Sequence, residues 1–134
     1  MAIYYVKTSG DDSKDGLSEA NAFRTITKAV SVVALGDTVY IAPGTYREVV
    51  SLLTSGNSSN YITFEGDPDC NHFVNEKKGY VRITGCDSNE QPQATGIIFH
   101  FAGKNYNILR NVVVDGTKSG TSSVLIGVYL YAND

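Results

Sequence analysis

The chain has 134 residues, a length that suits one folding unit with a single core. Its 42% hydrophobic and 19% charged residues exclude an intrinsically disordered chain, and no apolar stretch approaches the ~20 residues of a membrane span. The net charge of −3, without any run of Lys or Arg, argues against a nucleic-acid partner. With 13 Gly, 9 Tyr and no Trp, the composition is typical of an all-β protein with many tight turns.

The first predicted elements are a strand, a polar loop and a helix. The strand covers Ile3 to Val6, and the loop over residues 8–16 is built from residues that turn or bond their own backbone. The helix is indicated by apolar residues at i, i+3, i+4 and i+7. We expect one amphipathic helix of about two to three turns, ended by Gly36-Asp37. It has Thr25 as its N-cap and the apolar positions Ile26, Ala29, Val30 and Val33.

Short strands at a regular spacing follow the helix. Ile41, Ile62 and Ile83 are spaced by 21 residues (62 − 41 and 83 − 62), and each lies in a short β-run before a Gly-containing turn. This repeat predicts successive coils that stack with the three isoleucines in register.

A second correspondence lies downstream. Residues 96–100 match residues 127–131 at an offset of 31 (127 − 96), and residues 105–116 supply two short strands with a polar corner at Arg110-Asn111. The connections are too short for crossover helices, so the strands are expected to pair by stacking. The second copy stops at Asp134 before its next strand. We therefore expect an incomplete solenoid, either the front of a longer protein or one whose open end a partner chain covers.

The motifs in residues 3–66 resemble the N-terminal signature of pectate-lyase-like right-handed β-helix proteins. The resemblance implies an all-β chain, a right-handed single-stranded parallel β-helix with one short N-terminal capping α-helix, truncated at its C-terminal end. Residues 1–37 would form the cap and residues 38–134 the first coils. The motifs are Tyr4-Tyr5-Val6, Gly10-Asp11-Asp12, Asp15-Gly16-Leu17-Ser18, Ala22-Phe23-Arg24-Thr25-Ile26, Lys28-Ala29-Val30, Gly36-Asp37-Thr38-Val39-Tyr40-Ile41 and Pro43-Gly44-Thr45-Tyr46.

The signature residues are expected to be structural. The helix would cover the open end of the core, a turn after it would lead into the first coil, and a corner would follow. The residues assigned to this cap are Thr25, Ile26, Gly36, Asp37, Pro43 and Gly44.

A calcium site is one interpretation of the polar loop. Asp11, Ser13, Asp15 and Gly16 follow the opening of a calcium-binding loop, but position 22 holds Ala in place of the bidentate Glu. A polar turn held by Asx hydrogen bonds is the favoured alternative. No other cofactor is expected.

Candidate ligand contacts are aromatic. Tyr106, Tyr129 and Tyr131 are the predicted contacts for a sugar or a partner protein, although packing over the sheet is the commoner role of strand tyrosines. We assign no catalytic residue, because family lyases need clustered carboxylates and the late-coil charges are scattered. An active site, if the whole protein has one, is expected beyond residue 134. Cys70 and Cys86 are interpreted as unconnected thiols.

Three functions fit this interpretation. A start at Met1 without a visible signal peptide favours a phage virion component: a tail fibre, tailspike or head decoration protein, assembled as a trimer or with other virion proteins. The alternatives are the N-terminal part of a polysaccharide lyase or hydrolase, and a secreted or cell-surface carbohydrate-binding β-helix. A polysaccharide ligand is compatible with all three.

Overall fold

The structure is a computed structural model and describes residues 1–84, 97–115 and 126–129. In chain order its elements are β1 (Ile3–Val6), a 3-10 turn (Glu19–Asn21), α1 (Ile26–Val32), β2 (Thr38–Ile41), β3 (Gly44–Arg47), β4 (Val50–Ser51), β5 (Ile62–Gly66), β6 (Val81–Thr84), β7 (Ile97–His100), β8 (Asn107–Arg110), β9 (Val113–Val114) and β10 (Ile126–Tyr129).

Within these residues the strands form three sheets, and the neighbouring strands in each sheet are parallel. The first sheet has the order β1-β2-β5-β8, the second β3-β6-β9 and the third β4-β7-β10. Each circuit of the chain contributes one strand to each sheet: β2, β3 and β4, then β5, β6 and β7, then β8, β9 and β10. This coil-upon-coil stacking of parallel sheets is the topology of a parallel β-helix, as the sequence predicts.

The core is built from residues that alternate along each strand. In the first sheet, Val39 of β2 is opposite Phe64 of β5, which is opposite Leu109 of β8. Val39 and Phe64 are buried, and Leu109 packs against the same cluster. Burying one such side chain contributes about 1.5–3 kcal/mol. Stacked ladders of this kind therefore hold the coils together.

α1 covers the N-terminal end of this core. Thr25 is its N-cap, since its hydroxyl oxygen accepts a hydrogen bond from the Lys28 N–H at 3.1 Å. Ile26, Ala29 and Val30 are buried, and the helix contacts β4 and β1. The predicted helix is confirmed, although it ends at Val32. Within the described part of the chain, no helix is long and apolar enough to span a membrane.

The prediction that Ile41, Ile62 and Ile83 stack in register at a spacing of 21 residues is wrong. Thr38 pairs with Thr63, 25 positions later (63 − 38), so Ile41 lies opposite Gly66 and not opposite Ile62. Ile83 is in a different sheet, where it pairs with Tyr46 of β3. The three isoleucines have similar local sequences, but two of them belong to different strands of one coil.

The downstream correspondence is right about the pairing and wrong about the register. β7 and β10 are neighbours, but Ile97 pairs with Ile126 at an offset of 29 (126 − 97) rather than 31. The two short strands predicted within residues 105–116 are β8 and β9. Asn111, with φ 58°, lies at the corner between them.

Candidate functional site

Two exposed tyrosines lie side by side on adjacent coils of the first sheet. Ile62 pairs with Asn107 in the ladder of β5 and β8, so the preceding residues, Tyr61 and Tyr106, are neighbours. Their ring centroids are 5.6 Å apart with an interplanar angle of 82°. Tyr61 is 45% exposed and Tyr106 is 43% exposed. Both rings therefore offer apolar surface to solvent.

The backbone fixes the position of this pair. The Ile62 N–H donates to the Tyr106 carbonyl oxygen at 3.1 Å, and Tyr106 has the left-handed φ of 56°. Gly56 permits this close approach, because a Cβ there would lie 2.5 Å from the Tyr106 carbonyl oxygen. The Gly56 N–H also donates to the Asn105 carbonyl oxygen at 3.0 Å. A substitution at Gly56 would therefore displace one of the two rings.

Asparagines lie close to the two tyrosines in the chain and brace the turns that carry them. The Asn57 side-chain oxygen accepts from the Asn60 N–H at 2.8 Å, closing the turn that precedes Tyr61. The Asn107 amide donates to the carbonyl oxygens of Thr54 and Asn105, at 3.1 and 3.0 Å. We call this surface the aromatic corner; it comprises Tyr61 and Tyr106 with Asn57, Asn60, Asn105 and Asn107.

The aromatic corner continues onto the outer face of the first sheet. Two residues further along each strand, Thr63 pairs with Ile108, and then Glu65 pairs with Arg110. The last pair forms an ion pair with 2.7 Å between Arg110 Nη2 and Glu65 Oε2. The face thus combines rings, amides and one charged pair across adjacent coils. Such a face suits a ligand that carries both C–H surface and hydroxyl groups.

Of the three tyrosines predicted as contacts, the structure describes the backbone positions of Tyr106 and Tyr129, which belong to different sheets. Tyr106 adjoins the first sheet, whereas Tyr129 is in the third sheet, opposite His100. Tyr131 lies outside the described residues. Tyr61, which lies beside Tyr106, is not among those three predicted contacts. A signal was available, because the dipeptide Asn-Tyr occurs at residues 60–61 and again at 105–106, immediately before the two strands that pair.

The polar loop has the geometry of Asx turns. Asp11 Oδ1 accepts from the Ser13 N–H at 2.9 Å, and Asp15 Oδ1 accepts from the Leu17 N–H at 3.0 Å. Hydrogen bonding to the Ser13 backbone and hydroxyl lowers the pKa of Asp11. Among residues 1–84, 97–115 and 126–129, no three His, Cys, Asp or Glu side chains are grouped to hold a metal ion. The geometry gives calcium no support, and its binding stays a prediction.

Asp37, one of the predicted cap residues, ties the N-terminus to the turn after α1. Its side chain is 4% exposed. Oδ1 accepts from the Ala2 N–H at 2.6 Å, and Oδ2 accepts from the Ala34 N–H at 2.9 Å. Gly36 precedes it with φ 80°, and a Cβ there would lie 2.7 Å from the Met1 side chain.

Pro43 and Gly44 form the corner between β2 and β3. Gly44 has φ 150°, and a Cβ at this position would lie 2.7 Å from the Thr8 methyl group. The corner therefore packs closely against the polar loop.

A groove of about 510 Å³ runs between the cap and β3. We call it the cap groove. It joins side chains far apart in the sequence, so no local motif could have revealed it. Its lining residues are Thr8, Asp12, Arg24, Thr25, Thr45, Tyr46, Arg47 and Glu48.

Both carboxylates of the cap groove are engaged by the N-terminal region of α1. Asp12 accepts from the N–H groups of Arg24 and Thr25, at 2.8 and 3.0 Å, and from the Thr25 hydroxyl at 2.8 Å. Glu48 accepts from the N–H groups of Ile26 and Thr27, at 3.1 and 2.7 Å. The Thr27 hydroxyl also donates to Glu48, at 2.7 Å. These carboxylates satisfy backbone donors that the helix itself cannot.

The loop between β5 and β6 carries a histidine and a cysteine. The His72 ring stacks on Tyr40 with 3.6 Å between ring centroids. Burial raises the pKa of the Cys70 thiol, and the carboxylates of Asp67 and Glu76 raise it further. Cys86 lies outside the described residues, so the interpretation of two unconnected thiols stays a prediction.

Similarities to known proteins are consistent with this geometry. Residues 8–52 match the model of a family described as proteins of unknown function (DUF1565). Over 126 residues the chain is 40% identical to the uncharacterized protein YwoF of Bacillus subtilis strain 168, covering 94% of this chain and 25% of YwoF. The chain therefore spans about a quarter of the length of this relative.

Two solved structures resemble this one. A rhamnogalacturonan lyase matches with a TM-score of 0.60 and 24% identity, over 84% of this chain and 28% of the enzyme. A GH136 lacto-N-biosidase from Eubacterium ramulus matches with a TM-score of 0.65 and 14% identity, over 90% of this chain and 22% of the enzyme. At these identities the likeness concerns the fold, which is pectate-lyase-like.

Proposed function

We propose that this chain is part of a carbohydrate-binding or carbohydrate-processing protein with a right-handed β-helix, and that its aromatic corner contacts the sugar. The observation that carries the proposal is the exposed pair of Tyr61 and Tyr106 on adjacent coils, with their rings 5.6 Å apart. Aromatic rings can pack on the C–H faces of sugars, while the neighbouring amides can bond to hydroxyl groups.

The names of the two structural neighbours support this class of ligand. One is named a rhamnogalacturonan lyase and the other a lacto-N-biosidase. Both names describe proteins that act on carbohydrate. In either enzyme this chain matches less than a third of the length, so an active site would be supplied by other coils of a longer protein.

The virion hypothesis has no support from these similarities, which favour the alternative function suggested by the sequence. The expectations of a trimer, of virion partners and of a virion or extracellular location stay predictions. Because the sugar surface proposed here lies on one chain, it does not depend on any of them.

Affinity electrophoresis in gels containing rhamnogalacturonan, or lacto-N-biose coupled to the gel, tests the proposal. Tyr61→Ala should raise the Kd for the glycan about fivefold, because an aromatic contact contributes about 1 kcal/mol. The variant should therefore be retarded less than the wild type. Tyr61→Phe retains the ring and should bind like the wild type. Tyr80→Ala is the matched control, since Tyr80 is 81% exposed and lies outside the aromatic corner.

Two results would argue against a sugar site at the aromatic corner. One is wild-type protein that migrates identically with and without both glycans. The other is equal weakening by Tyr61→Ala and Tyr80→Ala. Circular dichroism of each variant checks that the sheet content is unchanged.

A further inference from the structure

The side chains of the cap groove carry equal numbers of positive and negative charges. Among the described residues that line it, the carboxylates of Asp12 and Glu48 balance the guanidinium groups of Arg24 and Arg47. The hydrogen bonds that these carboxylates accept come from neutral N–H and hydroxyl groups, which do not cancel their charge. The groove therefore has no excess of one sign that would attract an anion or a cation. What it offers a ligand is a set of hydrogen-bond acceptors and donors.

The acceptors of the cap groove are held in place by the start of α1. Asp12 Oδ1 and Glu48 Oε1 each accept two hydrogen bonds from this region. Among the described residues, Asp12 Oδ2 accepts one, from the Thr25 hydroxyl at 2.8 Å, and Glu48 Oε2 accepts one, from the Ile26 N–H at 3.1 Å. A carboxylate oxygen has two lone pairs, so each of these two oxygens retains a position for a ligand hydroxyl. Because the carboxylates are already fixed, little ordering is needed when a ligand binds.

The donors of the cap groove are on its exposed residues. Arg24 is exposed, and a guanidinium group presents five N–H donors. Thr8 and Thr45 are exposed as well, and a hydroxyl group both donates and accepts. The groove thus combines fixed acceptors with exposed donors in a volume of about 510 Å³. Small-molecule sites in proteins have volumes of roughly 300–1,000 Å³.

We propose that the cap groove binds a neutral saccharide of about one or two sugar units. A sugar hydroxyl donates to a carboxylate oxygen and accepts from a guanidinium N–H, so a polyhydroxy ligand satisfies both kinds of group at once. An acidic ligand would meet the two carboxylates and a basic ligand the two guanidinium groups, which disfavours both. The inference rests on the proposed carbohydrate function but not on the aromatic corner. That corner adjoins the first sheet, whereas the cap groove borders β3 of the second.

Amide NMR spectra of the isotopically labelled chain, recorded during titration with neutral sugars, test the proposal. The probes are the methyl glycosides of galactose, xylose, rhamnose and N-acetylglucosamine, together with lacto-N-biose. We expect at least one of them to cause saturable shifts in the amide signals of Arg24, Thr25 and Thr45. Because the ligand is neutral, its Kd should change less than about twofold between about 0.05 and 0.5 M NaCl.

Two substitutions in the cap groove should weaken this binding. Arg24→Ala removes the guanidinium donors but keeps the backbone N–H that Asp12 accepts, and should raise Kd about tenfold. Thr45→Val replaces a hydroxyl by a methyl group of similar size and should raise Kd about threefold. Lys77→Ala is the matched control, since it removes an exposed long cation outside the cap groove and should leave Kd unchanged.

Three results would overturn the proposal. They are no saturable shift at the cap groove with any of the probes, an effect of Lys77→Ala as large as that of Arg24→Ala, and tighter, strongly salt-dependent binding of digalacturonate there. The two sugar sites are separable, because Tyr61→Ala should leave the shifts at the cap groove unchanged. Shifts confined to the aromatic corner would contradict this inference and retain the proposed function, whereas shifts at neither site would contradict both.

Discussion

The buried carboxylate of Asp37 provides a sharp test of how the cap is held. Its two oxygens accept hydrogen bonds from the N–H groups of Ala2 and Ala34 at 2.6 and 2.9 Å, and the residue is 4% exposed. A hydrogen bond to a charged group contributes about 1.5–3 kcal/mol, and an unsatisfied buried N–H carries its own desolvation cost. Asp37→Ala should therefore lower the free energy of unfolding by about 3–5 kcal/mol. Asp37→Asn keeps one acceptor and should cost about 2–3 kcal/mol.

Urea unfolding followed by circular dichroism measures this loss as a lower transition midpoint at an unchanged slope. Asp69→Ala is the control, because the Asp69 side chain is 69% exposed and 3.8 Å from Lys78 Nζ. An exposed ion pair of this kind should change stability by less than about 0.5 kcal/mol. If Asp37→Ala is as stable as the control variant, the cap is not held by this carboxylate and the reasoning fails.

Three other substitutions test backbone, burial and helix capping. Gly16→Ala should cost about 2–3 kcal/mol in urea melts, since φ is 73° and the new Cβ would lie 2.3 Å from the Phe23 ring. Gly79→Ala, whose Cβ meets nothing closer than 3.6 Å, should be nearly neutral and serves as its control. Burial raises the pKa of Tyr46 above the ordinary 10.0, so its stabilising contribution is complete below pH 10 and is lost as pH rises. Melting temperatures between pH 8 and 11 should fall more steeply for wild type than for Tyr46→Phe, and equal slopes would contradict this burial. Glu48→Gln should lower stability by about 1 kcal/mol in thermal melts, and an unchanged melting temperature would show that its charge is not needed at α1.

Local patterns in the sequence were sufficient to predict the cap helix. Ile26, Ala29 and Val30 are buried on one side, and Thr25 accepts from the Lys28 N–H, as the spacing predicts. These features depend on neighbours within four residues. The same locality explains why β1, β8 and β9 could be predicted from residue type and turn signals.

The stacking register could not be predicted, because it depends on the lengths of loops that carry no periodic signal. Between equivalent positions of the first sheet the chain advances by 25 residues from Thr38 to Thr63, and by 45 from Thr63 to Ile108. A fixed period of 21 therefore aligned strands from different sheets. A buried apolar run specifies that it faces a core, but not which coil it pairs with.

The candidate sites likewise depend on contacts between residues that are distant in the sequence. Tyr106 could be chosen as an exposed aromatic from the sequence, but its partner Tyr61 is 45 residues earlier and becomes a neighbour only through the pairing of β5 and β8. The cap groove similarly joins Arg24 and Thr45 across two elements. Non-local geometry of this kind leaves little trace in local sequence beyond the repeated Asn-Tyr dipeptide.

A cross-linking measurement tests most directly the strand pairing that creates the aromatic corner. In a background with Cys70→Ser and Cys86→Ser, Thr63→Cys should form a disulfide with Ile108→Cys, its partner on the outer face of the first sheet. Parallel partners lie within the 4.4–6.8 Å Cα separation that a disulfide needs, whereas diagonal positions are about 7–8 Å apart. Thr63→Cys combined with Arg110→Cys should therefore remain reduced under the same oxidation. Peptide mapping that found the second disulfide and not the first would contradict the register, and with it the pairing of Tyr61 and Tyr106.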